Sequence, residues 1–288
     1  MLKIDHLTFF YPHRTKPVID DFSMELPAGG VYGLLGRNGA GKSTLLYLIA
    51  GLLTPKSGNV TFAGTDTRLR RPKTLADIFI VPEEFNLPSM SLDDYINLYS
   101  TFYPNFSRED MQRHLSTFEL PADLHLGALS MGQKKKAYMC FALACNTPLL
   151  LMDEPTNGLD IPGKAAFRRF IASSMTDDRT VIISTHQVRD INSLLDHVVI
   201  MDNRSMLLNA SMAEIRQRLA FVTTDNPSLV ERAIYAQAGV QGVNVIIPND
   251  GSFDTDVDLE TLFELSATAP EQLAAIFPNP QLPPKYEN

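Results

Sequence analysis

Apolar and polar positions along the chain fall into two kinds of segment, short strand-length runs and longer stretches with helical spacing. Residues 2–10 (LKIDHLTFF) alternate loosely and predict a strand, residues 21–26 (DFSMEL) predict a second, and Pro12 and Pro27 mark breaks beside them. The opening is therefore expected to be antiparallel. Residues 30–35 (GVYGLL) form an apolar run of strand length, and residues 43–50 (STLLYLIA) predict a buried helix closed by Gly51. Gly51, Pro55, Ser57 and Gly58 mark a turn region, residues 60–62 a short strand, and residues 78–81 (IFIV) an apolar strand ending at Pro82.

The pattern changes after Glu83. Ser91 with Asp94 three residues on predicts a helix start, followed by apolar residues at helical spacing, and Ser107 with Asp110 repeats the arrangement. A helical insert is expected near residues 84–130, with Phe85, Tyr95, Tyr99, Tyr103 and Phe106 forming its own core; a groove for a partner helix is the sharper alternative. Residues 149–152 (LLLM) then run into Asp153-Glu154-Pro155, and residues 181–183 (VII) into Ser184-Thr185-His186, with a helical stretch at 163–175 between them. That is the pattern of parallel strands buried on both faces. Ligands in such sheets sit beyond the carboxyl ends of the strands, so Asp153, Glu154 and His186 are expected on one side with the turn after residue 35.

From about Ser211 the elements become small: a helix at 212–220, a strand at 221–224, a helix at 228–238, a strand at 243–247 and an amphipathic helix at 258–265. The expected architecture is α/β, a mixed sheet with an antiparallel β subdomain and a helical subdomain over residues 1–215, followed by a small α/β module at 216–277. Residues 278–288, with four prolines, are expected to form an extended tail.

Gly36-Arg37-Asn38-Gly39-Ala40-Gly41-Lys42-Ser43-Thr44 fits G-x-x-x-x-G-K-[ST], a phosphate-binding loop when a strand enters it and a helix leaves it, as predicted here. Such a loop turns backbone N–H groups toward an anion, and the helix dipole adds to them. Gly39 and Gly41 allow close approach of the backbone, Lys42 meets the β and γ phosphates, and Ser43 ligates Mg²⁺. Asp153 ends a strand as a carboxylate suited to Mg²⁺, Glu154 is placed to orient or deprotonate an attacking water, and His186 to contact the γ-phosphate and that water. Taken singly these are a turn before a proline and a polar strand end; together with the loop they define a site. Ser130 is a candidate N-cap with Gly132 as a flexible joint before a helix expected at 134–145, which makes a second potential anion site. The three lysines at 134–136 are expected to be a solvated turn.

As an ordered set, GRNGAGKST, LSMGQ, LLLMDEP, NGLD and STH make residues 2–215 resemble an ATP-binding cassette ATPase subunit of a membrane transporter. The resemblance implies that Tyr11 stacks on adenine, that residues 36–44 are the Walker A loop, and that Asp153 and Glu154 are the Walker B carboxylate and catalytic glutamate. It makes Asp160 the D-loop aspartate and His186 the switch histidine. Ser130, Gly132 and Gln133 become the signature that reaches ATP across a homodimer or pseudo-dimer. ATP and Mg²⁺ are the implied cofactors, and a separate membrane permease the implied partner, with the chain peripheral on the cytoplasmic face of the membrane. Two positions depart from the family pattern. Glu83 stands where Gln is usual, which makes it an acceptor-only group and a candidate Mg²⁺ ligand. Met131 replaces a usual Gly. The Val81-Pro82-Glu83 spelling is similar to that of bacterial exporters with a C-terminal appendage, so export is the expected direction.

Composition narrows the alternatives. The 288 residues are 44% hydrophobic with a formal net charge of −8, which supports a sizeable core and weighs against a general nucleic-acid binder. Cys140 and Cys145, the only cysteines, lie in an apolar stretch and are expected to be buried thiols in a reducing compartment. No signal-peptide core and no run of membrane-spanning length is evident. A non-transport cassette ATPase, acting in DNA repair or translation, calls for a long coiled-coil insertion or a second cassette, and a GTPase switch for an Asn-Lys-x-Asp motif; the sequence has none of these.

Overall fold

The computed structural model describes residues 1–202 and 204–278. The expected tail at 278–288 therefore lies, except for Pro278, outside the described residues.

The chain opens with β1 (Leu2–Phe9) and β2 (Ile19–Leu26), which pair antiparallel, then β3 (Gly30–Gly36) and α1 (Lys42–Ile49). Next come β4 (Ser57–Phe62), β5 (Thr65–Asp66), α2 (Pro72–Ala76) and β6 (Ile78–Val81). The insert carries α3 (Leu92–Tyr99) and α4 (Arg108–Thr117), and their N-caps are the predicted Ser91 and Ser107, whose hydroxyls accept from the Asp94 and Asp110 N–H groups. Behind it run α5 (Met131–Ala144), β7 (Leu149–Asp153), α6 (Ile161–Ser173) and β8 (Thr180–Thr185).

β1, β2, β4 and β5 form an antiparallel sheet in the order β2-β1-β4-β5. The central sheet has six strands, β10-β9-β3-β8-β7-β6, and includes β9 (His197–Asp202) and β10 (Ser205–Ser211), a hairpin that the sequence reading did not assign. β9, β3, β8, β7 and β6 run parallel, as their continuous apolar runs require, and only β10 is antiparallel. Because alternate strand residues face opposite sides, Leu150 and Met152 enter a core shared with α5 and α6, whereas Leu149 and Leu151 enter the core beneath α1 and the antiparallel sheet.

The insert's aromatic residues do not close on themselves. Phe141 of α5 is their hub, with Tyr95 at 5.0 Å, Phe106 at 5.4 Å and Phe79 of β6 at 6.0 Å between ring centroids. The insert's apolar side thus continues the core on one face of the main sheet. A groove of about 950 Å³ remains at this junction, lined by Leu52, Leu75, Ile80, Phe102, Tyr103 and Tyr138 among others.

The C-terminal part contains α7 (Met212–Arg218), β11 (Leu219–Thr224), α8 (Pro227–Glu231), β12 (Tyr235–Gly239), β13 (Gly242–Pro248), α9 (Leu259–Thr268) and α10 (Pro270–Ile276). The long helix expected at 228–238 is instead the single short α8 followed by β12, which pairs antiparallel with β13. Strand pairing outweighs the helix propensity of its alanines, because β13 presents a matching ladder and buries Val245, Ile246 and Ile247. No helix among the described residues is long and apolar enough to cross a membrane.

Candidate functional site

Four segments that follow parallel strands meet at one end of the central sheet. The register pairs Leu35 with Thr185, Asp153 with Ser184, and Val81 with Met152. The loop after β3, Glu83 after β6, Glu154 after β7 and His186 after β8 are therefore brought together by strand pairing, although they are far apart in sequence. They border a cavity of about 770 Å³ whose lining includes Tyr11, Gly39, Lys42, Ser43, Glu154 and His186.

The loop has the conformation its glycines were expected to allow. Gly39 and Gly41 have φ of +83° and +101°, and Gly41 is the left-handed N-cap from which α1 starts. A Cβ at Gly41 would come within 2.9 Å of Ile19 and 3.1 Å of the Val18 carbonyl, so backbone freedom and space both require glycine. Lys42 Nζ donates to the Gly36 carbonyl at 2.8 Å and lies 3.5 Å from Glu154 Oε1. The Tyr11 ring meets Phe9 edge-on, and its hydroxyl lies 3.1 Å from Thr44 Oγ1.

Asp153 and Glu154 are buried carboxylates at adjacent positions with different partners. Asp153 Oδ1 accepts a short hydrogen bond from the Ser184 hydroxyl. Glu154 lies just past the strand with φ of +45°, and its N–H donates to the Ser184 carbonyl at 3.0 Å. Its carboxylate accepts from Thr185 Oγ1 at 3.0 Å and from the His186 N–H at 3.1 Å, and its Oε1 lies 2.8 Å from His186 Nδ1. A carboxylate held by three contacts from two residues and facing a lysine is oriented before any substrate arrives. Glu83 is exposed and accepts at 2.9 Å from Asn157, whose own amide oxygen accepts from Gln187 at 3.0 Å. Ser43, Glu83 and Asp153 offer only hard oxygen donors, a set suited to Mg²⁺ shared with substrate phosphates.

The remaining predicted residues lie elsewhere. Ser130 and Gln133 form a reciprocal capping box at the start of α5, so the helix begins at Met131, earlier than expected, and Gly132 lies in its first turn instead of acting as a joint. None of Ser130, Gly132 and Gln133 lines the cavity described above. Asp160 caps α6 through the Gly163 N–H. The three lysines are not a solvated turn. All lie in α5, Lys136 is 3.6 Å from Asp160, and Lys135 is buried with its Nζ donating at 2.7 Å to the Glu154 carbonyl and at 3.0 Å to the Asn157 carbonyl. Burial lowers the Lys135 pKa, opposed by the charges of Glu83, Glu154 and Asp153. Asn157, Arg14, Lys16 and Arg204 also border the cavity, and sequence reasoning missed them. The Arg14 and Lys16 signal lies in the loop that carries Tyr11. Cys140 and Cys145 are buried free thiols whose pKa values are pushed up by burial.

Comparisons with known proteins agree with this geometry. The family model described as ABC transporter matches residues 19–157, which span the phosphate loop and the Asp153–Glu154 pair. The Nod factor export ATP-binding protein I of Cupriavidus metallidurans is 30% identical over 191 residues, covering 64% of this chain and 63% of that relative, so the likeness reaches a little over three fifths of its length. The ABC transporter ATP-binding protein YtrB of Bacillus subtilis is 28% identical, over 80% of this chain and 82% of its own. A solved ATP-binding subunit of an ABC transporter superposes with a TM-score of 0.67 at 25% identity, over 75% of this chain and 92% of that one. Residues 19–157 match the ABC transporter family, and the chain has the fold of a solved ABC transporter ATP-binding subunit.

Proposed function

We propose that the chain is the ATP-binding and ATP-hydrolysing subunit of a membrane transporter, driving a separate permease through ATP-dependent closure of two such subunits. The observation that carries this reading is the Glu154 carboxylate, buried beside Lys42 and His186 above a glycine loop that opens a helix. Hydrolysis of a phosphoanhydride depends chiefly on positioning and on charge stabilisation. Lys42, now bonded to main-chain carbonyls, turns to the β and γ phosphates. Glu154 orients a water for attack on the γ-phosphorus and accepts its proton, while the bond to the ADP oxygen breaks. His186, hydrogen-bonded to the same carboxylate, keeps it aligned and contacts the γ-phosphate. Mg²⁺ held by Ser43, Asp153 and Glu83 would supply positive charge to the phosphates. Tyr11, on the cavity wall, stacks on adenine.

The signature residues Ser130, Gly132 and Gln133 lie outside this cavity's lining and complete the site of a second subunit, in an arrangement that uses one surface twice and therefore closes. The apolar groove between the insert and the main sheet supports the reading that a cytoplasmic helix of the permease docks there, with the chain on the cytoplasmic membrane face. Export is favoured by the Nod factor export relatives and by Glu83 in its Val-Pro-Glu setting, although a relative named for import matches as well. Glu154→Gln tests the central assignment. It is expected to bind ATP with affinity near that of the wild type and to lose at least about a hundredfold in turnover, as expected for loss of general-base catalysis. Unchanged turnover would remove Glu154 from its role.

A further inference from the structure

We propose that Lys135 is a positioning residue for hydrolysis: from the signature helix it holds the main chain of Glu154, and so the aim of that carboxylate, within the same subunit. The inference rests on Glu154 as the group that orients the attacking water.

Three features of the geometry carry it. Lys135 is only 6% exposed, and a buried lysine must find partners for its ammonium donors. Its two bonds go to the Glu154 and Asn157 carbonyls, at 2.7 and 3.0 Å. Both belong to the turn that leaves β7, and neither belongs to α5 itself. Glu154 has φ of +45°, a conformation that a non-glycine residue keeps only when its surroundings enforce it. The Glu154 N–H is fixed by the Ser184 carbonyl, and its C=O by Lys135 together with the Asn157 N–H at 3.2 Å. The residue is thus clamped on both sides. Rotating it out of the left-handed region would swing the carboxylate away from Thr185 and His186.

Asn157 extends the effect. Its side chain bridges Glu83 and Gln187, so the turn that Lys135 anchors also places the Glu83 carboxylate and the residue after His186. Five residues before Lys135, at the start of the same helix, stands Ser130, the residue that faces a neighbouring subunit's nucleotide. A tilt of α5 when that nucleotide binds or leaves would pull on the Glu154 carbonyl, which gives a direct route by which one site senses the other. Lys136 and Asp160 lie alongside, 3.6 Å apart, and tie the same helix to the start of α6.

The test uses the full-length protein and Mg²⁺-ATP. Lys135→Met keeps the length of the side chain and removes the donors. It is expected to lower kcat by about tenfold or more while KM for ATP, and the Kd for a non-hydrolysable ATP analogue, stay within about twofold. Lys135→Arg, which can reach both carbonyls, is expected to recover most of that loss. A kcat of Lys135→Met within about twofold of the wild type overturns the inference. So does a loss of kcat matched by an equal loss of analogue binding, because damage to the whole site would produce that. Should the Met variant not fold, Lys135→Gln, whose shorter side chain carries only a neutral amide NH2, is measured the same way: reduced kcat at unchanged KM supports the role, and unchanged kcat overturns it. Glu154→Gln, assayed alongside, separates the two claims. If it is impaired while Lys135→Met is not, only this inference fails. If Glu154→Gln turns over normally, the assignment of Glu154 fails and takes this role with it.

Discussion

His114 shows how much one buried side chain sets the pH range of the fold. It lies on α4 with its ring 4.8 Å from Phe170 and almost no exposure. Burial takes its pKa from 6.5 to about 4, with Arg113 and Arg179 adding to the shift and Asp110 opposing it. The unfolded chain therefore binds a proton near pH 6.5 that the folded chain refuses until about pH 4. Stability is full above the unfolded value and falls as pH drops between the two, by on the order of 3 kcal/mol. Urea unfolding at pH 7 and pH 4.5 should show that loss, and His114→Leu should remove most of the His114 contribution; an unchanged pH slope in the variant would show that other groups govern it. At this scale the sequence was most informative where chemistry is local. The glycines of the loop, Lys42, Asp153, Glu154 and His186 stand next to the strands that deliver them. Lys135 was illegible because three consecutive lysines look solvated. Yet Ser130 and Gln133 spell a capping box, and a helix begun there puts residues 135, 139 and 142 on one face, all of them buried.

Among elements, α5 has two parts, a first turn capped by Ser130 and Gln133, the residues proposed above as the signature, and a body that fills the core through Met139, Phe141 and Leu143. Ser130→Ala removes the acceptor for the Gln133 N–H at 3.3 Å and is expected to cost about 1 kcal/mol of stability. The same change should leave ATP binding to the isolated subunit intact, because Ser130 does not line that subunit's cavity, and should weaken ATP-dependent pairing. Equilibrium unfolding and light scattering with and without ATP read the two effects; ATP affinity falling with stability would place Ser130 in its own subunit's site instead. Strands were legible where an apolar run ends at a turn signal, as with Ile78–Val81 before Pro82. β12 was not, because its residues carry helix propensity and only pairing with β13 decides otherwise. The β9–β10 hairpin was not read, although residues 198–201 are an apolar run between His197 and Asp202; its place is set by the pairing of β9 with β3.

At the level of the whole molecule, the C-terminal elements share a core with the cassette. Leu259, Leu262, Leu265, Leu273 and Phe277 belong to the same buried cluster as Val198, Ile200 and Leu208 of the central sheet. α9 lies against β9 and the turn at Val188–Asp190, and α10 lies against β10. Arg189, three residues past His186, meets Glu260 at 2.5 Å, and Asn192 donates to the Val257 carbonyl at 3.3 Å. Burial of five such side chains at ~2 kcal/mol each is worth on the order of 10 kcal/mol, comparable to the entire net stability of an ordinary domain. A chain ending at Asn249 should therefore lose more than its last helices: the outer face of β9 and β10 would be left apolar and wet. The expected result is a sharp fall in soluble yield, binding of a hydrophobic dye, and a urea midpoint well below that of the full chain. Nucleotide rescue would be partial at best, because ATP bound in the cavity would not cover the apolar faces that α9 and α10 leave behind. A truncated chain that stayed monomeric with the full-length midpoint would show instead that these helices are a removable appendage, and that contact with the turn after His186 does not hold the cassette together.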